Sequence, residues 1–294
     1  MKRIPFKQVD VFTAIPFKGN PVAVVLDAGT LSQRQMQRIA HWTNLSETTF
    51  VFPPTHRDAD YQVRIFTPHA ELPFAGHPTI GTAHALMEAG IIKASGEGTL
   101  LQQCAAGLIR LTVTKDGAGQ RWIAFELPSP KLSPLNITET EELEKALGAA
   151  VLKDRSSPMR VDIGVKWVVA EAPSADSVLA MRPDFERVKT QSIRLGCAGV
   201  TVYGKCTSDK QTAIEVRSFA PAHGVNEDPV CGSGTGSVGV FIRNSGQWKI
   251  LGNEFLASQG SVVGRSGILS LKLSDERITV GGMAVTCIDG ELSV

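Results

Sequence analysis

The sequence predicts an α+β fold made of two similar domains. Three observations carry this. Short β-prone runs outnumber helical patterns along the chain. The motif V-R-x-F-x-P occurs twice, at Val63–Pro68 and Val216–Pro221. Each copy is followed by a glycine turn and a helix of small residues, Ala75-Gly76-His77-Pro78-Thr79 in the first and Cys231-Gly232-Ser233-Gly234-Thr235 in the second. The length, 294 residues, is what two domains of ordinary size would need.

The elements follow in order. Gln8–Phe12, Ala23–Leu26 and Thr48–Phe52 are strand-prone runs rich in Val, Phe and Thr. Leu31–Trp42 puts Leu31, Met36, Ile39 and Ala40 near one helical face. Tyr61–Phe66, Ile109–Thr114 and Trp122–Leu127 alternate with the period of half-buried strands, the last two joined through the turn-rich Lys115–Gln120. Helices are expected at Thr79–Ala89 and Thr235–Arg243, each stopped by a glycine, Gly90 or Gly246. Thr138–Leu147 opens with Thr138 and carries Glu141 three residues on, a capping-box pattern. Ser174–Arg182 reads as a further helix stopped by Pro183. Between Leu127 and Pro134 lie Pro128, Pro130 and Pro134, which can continue neither a central strand nor a helix. The domain boundary is placed there.

Composition removes several classes of function. Hydrophobic residues make up 43% and charged residues 20%, enough apolar material for a real core. A net charge of +1 argues against a large phosphate-binding surface for nucleic acid. No uncharged apolar run approaches the roughly 20 residues of a spanning helix, and no apolar segment follows the early basic residues as in a signal peptide. The five cysteines are odd in number, widely spaced and without a C-x-x-C pair, which fits a reducing cytoplasm.

The two glycine turns are the main functional signal. A helix N-terminus offers unpaired N–H groups and a partial positive charge, and glycine lets a ligand approach them. Two such turns could hold one small carboxylate without a basic patch; the competing reading is that they are packing glycines. Gly234-Thr235-Gly236-Ser237-Val238-Gly239 also matches G-x-G-x-x-G, but Asn226-Glu227-Asp228-Pro229 makes a poor preceding strand for a dinucleotide site. Around the turns lie Asp228, either a solvated helix cap or a functional acid, and His77, a cap, a spacer or a ligand group. Cys231 is either a thiol acidified by the helix start or a small buried hydrophobe. Glu47 opens an apolar strand, where desolvation would raise its pKa; read from sequence alone, an edge charge facing water is favoured.

Taken in order, these residues resemble the phenazine-biosynthesis isomerase family, the PhzF-like proteins, within the diaminopimelate epimerase-like fold. The resemblance runs along nearly the whole chain. It rests on Val9-Asp10-Val11-Phe12-Thr13, Gly19–Val24, Asn44-Leu45-Ser46-Glu47-Thr48, Arg64–Pro68, Leu72–Thr79, Arg182–Phe185, Arg217–Pro221, Glu227–Val230 and Gly232-Ser233. It implies two pseudo-symmetric domains, each a curved, mostly antiparallel sheet around a central helix. The domains would be residues 1–127, with a C-terminal strand near 281–294 returning to them, and 128–280, with the site between. It implies a homodimer and no metal, flavin or nucleotide cofactor.

By the same resemblance, Glu47 is the proton-moving acid/base, assisted by His77 and Asp228. Asn20, Gly76, Cys231, Gly232 and Ser233 are the expected substrate-binding positions. Racemases of the wider superfamily use two cysteines, one at each glycine turn. Ala75 at the first turn excludes a two-thiol mechanism here, while Cys231, where threonine is expected, leaves a one-thiol variant with Glu47 or His77 open. The expected activity is a cofactor-independent isomerisation of a small carboxylic or amino acid. A racemase using Cys231, or a non-catalytic small-acid binding protein, are the alternatives.

Overall fold

The computed structural model describes residues 2–152 and 157–294. In chain order the first stretch forms β1 (Arg3–Val11), β2 (Asn20–Val25), α1 (Gln33–Thr43), β3 (Glu47–Phe52), β4 (Tyr61–Phe66), β5 (Glu71–Leu72), α2 (Gly76–Glu88), β6 (Thr99–Cys104), β7 (Gly107–Lys115) and β8 (Arg121–Glu126). The second forms β9 (Lys131–Pro134), α3 (Ile137–Leu147), β10 (Met159–Asp162), β11 (Lys166–Glu171), α4 (Ala175–Ala180), α5 (Phe185–Leu195), β12 (Gly199–Lys205), β13 (Ile214–Ala220) and β14 (Val225–Asp228). There follow α6 (Gly232–Asn244), α7 (Trp248–Leu251), β15 (Glu254–Gln259), β16 (Gly267–Leu273), β17 (Ile278–Gly282) and β18 (Ala284–Ser293). The chain divides into two compact units, Met1–Glu126 with Gly281–Val294, and Leu127–Val280. Among the described residues no helix is long and apolar enough to cross a membrane.

Local chemistry sets the boundaries. Ser32 and Gln35 form a reciprocal capping box at the start of α1, and Asn44 ends that helix in the left-handed conformation (φ 53°). Met36 and Ala40 are fully buried, and burying the Met36 side chain alone contributes about 1.5–3 kcal/mol. The helix after the proline stretch starts two residues earlier than the Thr138 pattern suggests. Asn136 is the cap, paired with Glu139 in the box. Two overlapping cap patterns are present, and the earlier one turns Thr140, Leu143 and Leu147 inward. Ser174 caps α4, which ends at Ala180, short of Pro183. The proline stretch is not free of regular structure: Lys131–Pro134 pairs antiparallel with β10, with Pro134 at its last position.

The two units repeat one pairing scheme. In the first, β1–β2 is antiparallel, β2–β3 parallel, β3–β4 antiparallel, β4–β6 parallel and β6–β7 antiparallel. In the second, β10–β11, β11–β12, β12–β13, β13–β15 and β15–β16 follow the same order of directions. In each unit a central helix, α2 or α6, is buried through most of its length. Register extends the match to single residues. Thr48 faces Phe66 and Val200 faces Phe219, so Glu47 corresponds to Gly199. Ile65 faces Leu72 and Ser218 faces Asp228, so Asp228 corresponds to Leu72.

The repeated V-R-x-F-x-P motif has the same structural use twice. Arg64 grips Glu71 through two hydrogen bonds (2.7 and 2.6 Å) and lies over Phe66. Arg217 grips Glu227 in the same way (2.9 and 2.8 Å) and lies over Phe219. Each glutamate lies on the short strand that leads into its glycine turn, so each clamp fixes where the turn begins. The first unit is completed by β18, which pairs antiparallel with β1 from Arg3↔Ser293 to Val11↔Ala284.

Candidate active site

In the first unit, the starts of β2, β3 and α2 converge. Parallel pairing of β2 and β3 sets Val22 beside Glu47. Asn20, the fully buried first residue of β2, lies two positions earlier. His77 is the second residue of α2, and its Nε2 lies 3.3 Å from Glu47 Oε2. Both side chains are largely enclosed, at 7% and 16% exposure, so Glu47 is not the water-facing edge charge favoured from sequence. A second ring bond goes to the Pro21 carbonyl. Because Nε2 is the ring nitrogen that faces Glu47, that bond belongs to Nδ1–H. Burial drives the imidazolium pKa down to about 3, the Pro21 bond only partly opposing it. His77 is therefore a neutral imidazole whose Nε2 lone pair faces the Glu47 carboxyl.

Buried hydroxyls hold this helix start in place. The Thr82 hydroxyl lies 2.7 Å from the Pro78 carbonyl and 2.9 Å from the Thr49 hydroxyl on β3. Gln102 on β6 donates to Thr79 (2.9 Å) and accepts from Tyr61 (3.1 Å). Thr49, Thr82 and Gln102 did not stand out as site residues in the sequence, because Thr49 meets Thr82 across 33 positions and Gln102 meets Thr79 across 23. Ala75 offers no side-chain cap, and Pro78 has no N–H. The helix geometry thus leaves the N–H groups of Gly76 and His77 pointing out of the first turn. At Gly76 a Cβ would come within 2.5 Å of the Phe125 ring, so the glycine lets the helix start sit on β8.

The second unit carries a different set on the equivalent turn. Cys231 is the N-cap of α6, and its Sγ accepts the Gly234 N–H at 3.3 Å. The Ser233 hydroxyl lies 3.6 Å from that sulfur and accepts the Trp167 indole N–H at 3.1 Å. Asp228 is not the helix cap; its carboxylate accepts the Val230 N–H (3.0 Å) and a bond from Cys231. Desolvation pushes the Asp228 pKa up to about 6, with Glu227 adding to it and the two hydrogen bonds opposing it. The Cys231 thiol is also pushed up, first by burial and then by the Asp228 charge. Of the two readings of Cys231, acidification by the helix start is outweighed by burial, and Cys231 is a protonated thiol at neutral pH. Gln259 ties the turn together, donating to the Asp228 carbonyl (2.9 Å) and accepting the Cys231 N–H (3.1 Å).

Gly232 is buried and, with Ser233, begins α6, so their N–H groups are the second uncapped pair. The glycines of G-x-G-x-x-G are packing positions. A Cβ on Gly234 would lie 2.5 Å from Ser218 Oγ, and one on Gly236 would lie 3.1 Å from Leu127 and Val280. Among the described residues no group of three or more His, Cys, Asp and Glu side chains is placed to hold a metal ion. The structure thus joins Glu47 with His77 and Pro21 in one unit, and Asp228 with Cys231 and Ser233 in the other. Trp167 and Gln259 are the residues that sequence reasoning missed. Neither belongs to a motif, and both reach the turn from distant strands.

Residues 9–290 match the family described as phenazine biosynthesis-like protein. The chain is 45% identical over 293 residues to antisense-enhancing sequence 1 of Schizosaccharomyces pombe, covering 97% of each chain. It is 33% identical over 284 residues to the trans-2,3-dihydro-3-hydroxyanthranilate isomerase of Pseudomonas fluorescens, covering 95% of each. Among solved structures, the phenazine biosynthesis protein of the PhzF family from Bacillus anthracis superposes with a TM-score of 0.88 at 26% identity, over 100% of both chains.

Proposed function

The chain belongs to the phenazine biosynthesis-like family of isomerases, and from that premise we propose that it moves a proton within a small carboxylic or amino acid, with Glu47 as general acid/base. The observation that carries this is the 3.3 Å approach of Glu47 Oε2 to the Nε2 of a neutral His77. A lone pair facing a carboxylate oxygen is repulsive unless a proton lies between them. With Nδ1–H committed to Pro21, the acid form of Glu47 is the group that can supply such a proton, turned toward Nε2. Glu47 can release it and take it back while His77 keeps the carboxyl oriented. An intramolecular proton shift needs one group able to do both.

The remaining roles follow from chemistry. The N–H pairs of Gly76 and His77, and of Gly232 and Ser233, suit a substrate carboxylate. Asn20 frames the first turn beside Pro21. Asp228, with its pKa near 6, can hold or release a proton at neutral pH and suits a substrate amino or hydroxyl group. The racemase reading draws less support. Its single thiol, Cys231, is held protonated, and the matching N-cap of the first unit is Ala75.

The test is solvent exchange. In D₂O, the isomerase substrate of the Pseudomonas fluorescens relative, trans-2,3-dihydro-3-hydroxyanthranilate, is incubated with the protein and followed by mass spectrometry. Deuterium is expected to enter product with the wild type and with Cys231→Ala, and not with Glu47→Gln. Undiminished exchange in Glu47→Gln removes Glu47 from the chemistry. Exchange lost only in Cys231→Ala would turn the assignment to the racemase.

A further inference from the structure

We propose that Trp167 is a positioning residue of the second unit: through Ser233 and Cys231 it fixes the direction of a hydrogen-bond chain that ends on Asp228. This rests on the reading above that Asp228 and Ser233 meet substrate. Trp167 is on β11 and only 4% exposed. Its indole N–H is a donor with no acceptor function, and it lies 3.1 Å from Ser233 Oγ. Ser233 must therefore accept at that contact, and its own hydrogen is free to go elsewhere. The neighbour within reach is Cys231 Sγ at 3.6 Å. That sulfur already accepts the Gly234 N–H, and as a protonated thiol it still has a hydrogen to give. It gives it to Asp228. The order is indole N–H to serine oxygen, serine O–H to sulfur, and thiol S–H to carboxylate.

The opposite direction costs Asp228 its thiol donor. Were Ser233 to accept from the thiol, the S–H would turn away from Asp228 and leave a desolvated carboxylate one donor short. The indole at the head of the chain occupies one of the two acceptor positions of Ser233 and so turns the hydroxyl hydrogen away from itself, toward Cys231. The direction also bears on specificity. A hydroxyl has one donor and two acceptor positions. Ser233 spends its donor on Cys231 and one acceptor on Trp167. What its side chain presents to a ligand is the remaining lone pair, so it selects a substrate N–H or O–H. The carboxylate is left to the backbone N–H groups. Trp167 corresponds by register to Val22 of the first unit, which has no such donor, so the device belongs to one half only.

Two spectroscopic readings test this without turnover. The protein contains four tryptophans; in a ¹⁵N-indole spectrum the signal lost in Trp167→Phe is that of Trp167. It is expected to move upfield in Ser233→Ala by more than any other indole, and to return in Ser233→Thr, which restores the hydroxyl. In the infrared, the S–H stretch lost in Cys231→Ala is that of Cys231. It is expected to rise in frequency in Asp228→Asn, where the thiol loses its carboxylate acceptor, and to shift in Trp167→Phe, where the Ser233 hydroxyl loses the donor that orients it toward the sulfur. An indole signal unmoved in Ser233→Ala, or an S–H band unmoved in Trp167→Phe, overturns the proposal. In the exchange assay Trp167→Phe should lose about tenfold, the worth of one neutral hydrogen bond. Loss of exchange without either spectral change makes Trp167 a packing residue and also overturns it. Full exchange in Glu47→Gln with both spectral changes intact would remove the proposed function and leave the chain standing.

Discussion

Replacing His77 by Asn should change how stability depends on pH. The Asn amide can still donate to the Pro21 carbonyl, as Nδ1–H does, but it does not titrate. In the folded protein the His77 pKa is about 3, against an ordinary 6.5. Below pH 6.5 the unfolded chain binds a proton that the folded protein refuses. This stability is fully present above 6.5 and is lost as pH falls toward 3. Going from pH 7 to pH 5, a shift of this size removes about 2 kcal/mol. Asp228 works the other way. Its folded pKa of about 6, against 3.8, adds stability on acidification over the window from about 6 to 4, roughly 1 kcal/mol between pH 7 and 5. The wild type therefore loses a net of about 1 kcal/mol from the two groups, whereas the variant gains about 1. Urea unfolding at the two pH values measures this. The variant will be less stable than the wild type at pH 7, since Asn fills less space. The informative quantity is the gap between the two proteins, expected to shift by about 2 kcal/mol in favour of the variant at pH 5. A gap that does not change with pH would refute the claim that burial holds His77 neutral.

The other expectations concern the scaffold of the turns. Arg217→Met strands the Glu227 carboxylate at 7% side-chain exposure and also frees the Val178 and Met181 carbonyls that Arg217 holds. A loss of about 3–5 kcal/mol is expected, seen as a lower urea midpoint. Arg64→Met breaks the equivalent clamp where both side chains are more than a quarter exposed, and should cost only about 1 kcal/mol. Equal costs at the two sites would mean that exposure does not separate the clamps. Gly76→Ala drives a methyl group to 2.5 Å from the Phe125 ring, with an expected loss of about 1–3 kcal/mol. A melting temperature equal to that of the wild type would show that the ring yields freely.

What the sequence made legible was what local pattern can encode. Tyr61–Phe66 has the predicted strand limits because its alternation is clean. The glycine turns were visible because duplication wrote them twice. The Thr138 start was misplaced because Asn136-x-x-Glu139 and Thr138-x-x-Glu141 overlap, and only packing chooses between them. At the site the misses share one cause. Glu47 looked like an edge charge because His77, which meets it, lies thirty residues on. Cys231 left two readings open because the helix start is local, whereas the burial that decides between them exists only in the folded unit. Trp167 gives no sign in the sequence of a hydrogen bond to Ser233, 66 positions away.

The pairing of β1 with β18 has a consequence for the order of synthesis. Arg3 and Glu291, joined across that ladder, are 288 positions apart. On the ribosome β1 emerges long before its partner. The first unit must wait, with one strand edge open, while the whole of the second is made and can fold. Such an edge invites pairing with another nascent chain. Lys7 lies in the middle of it, and in the finished protein is buried against Glu88 and Asp289. Until Asp289 arrives, that ammonium group makes the waiting edge a poor template for a stray strand. One residue thus serves as a deterrent during translation and as an anchor after it.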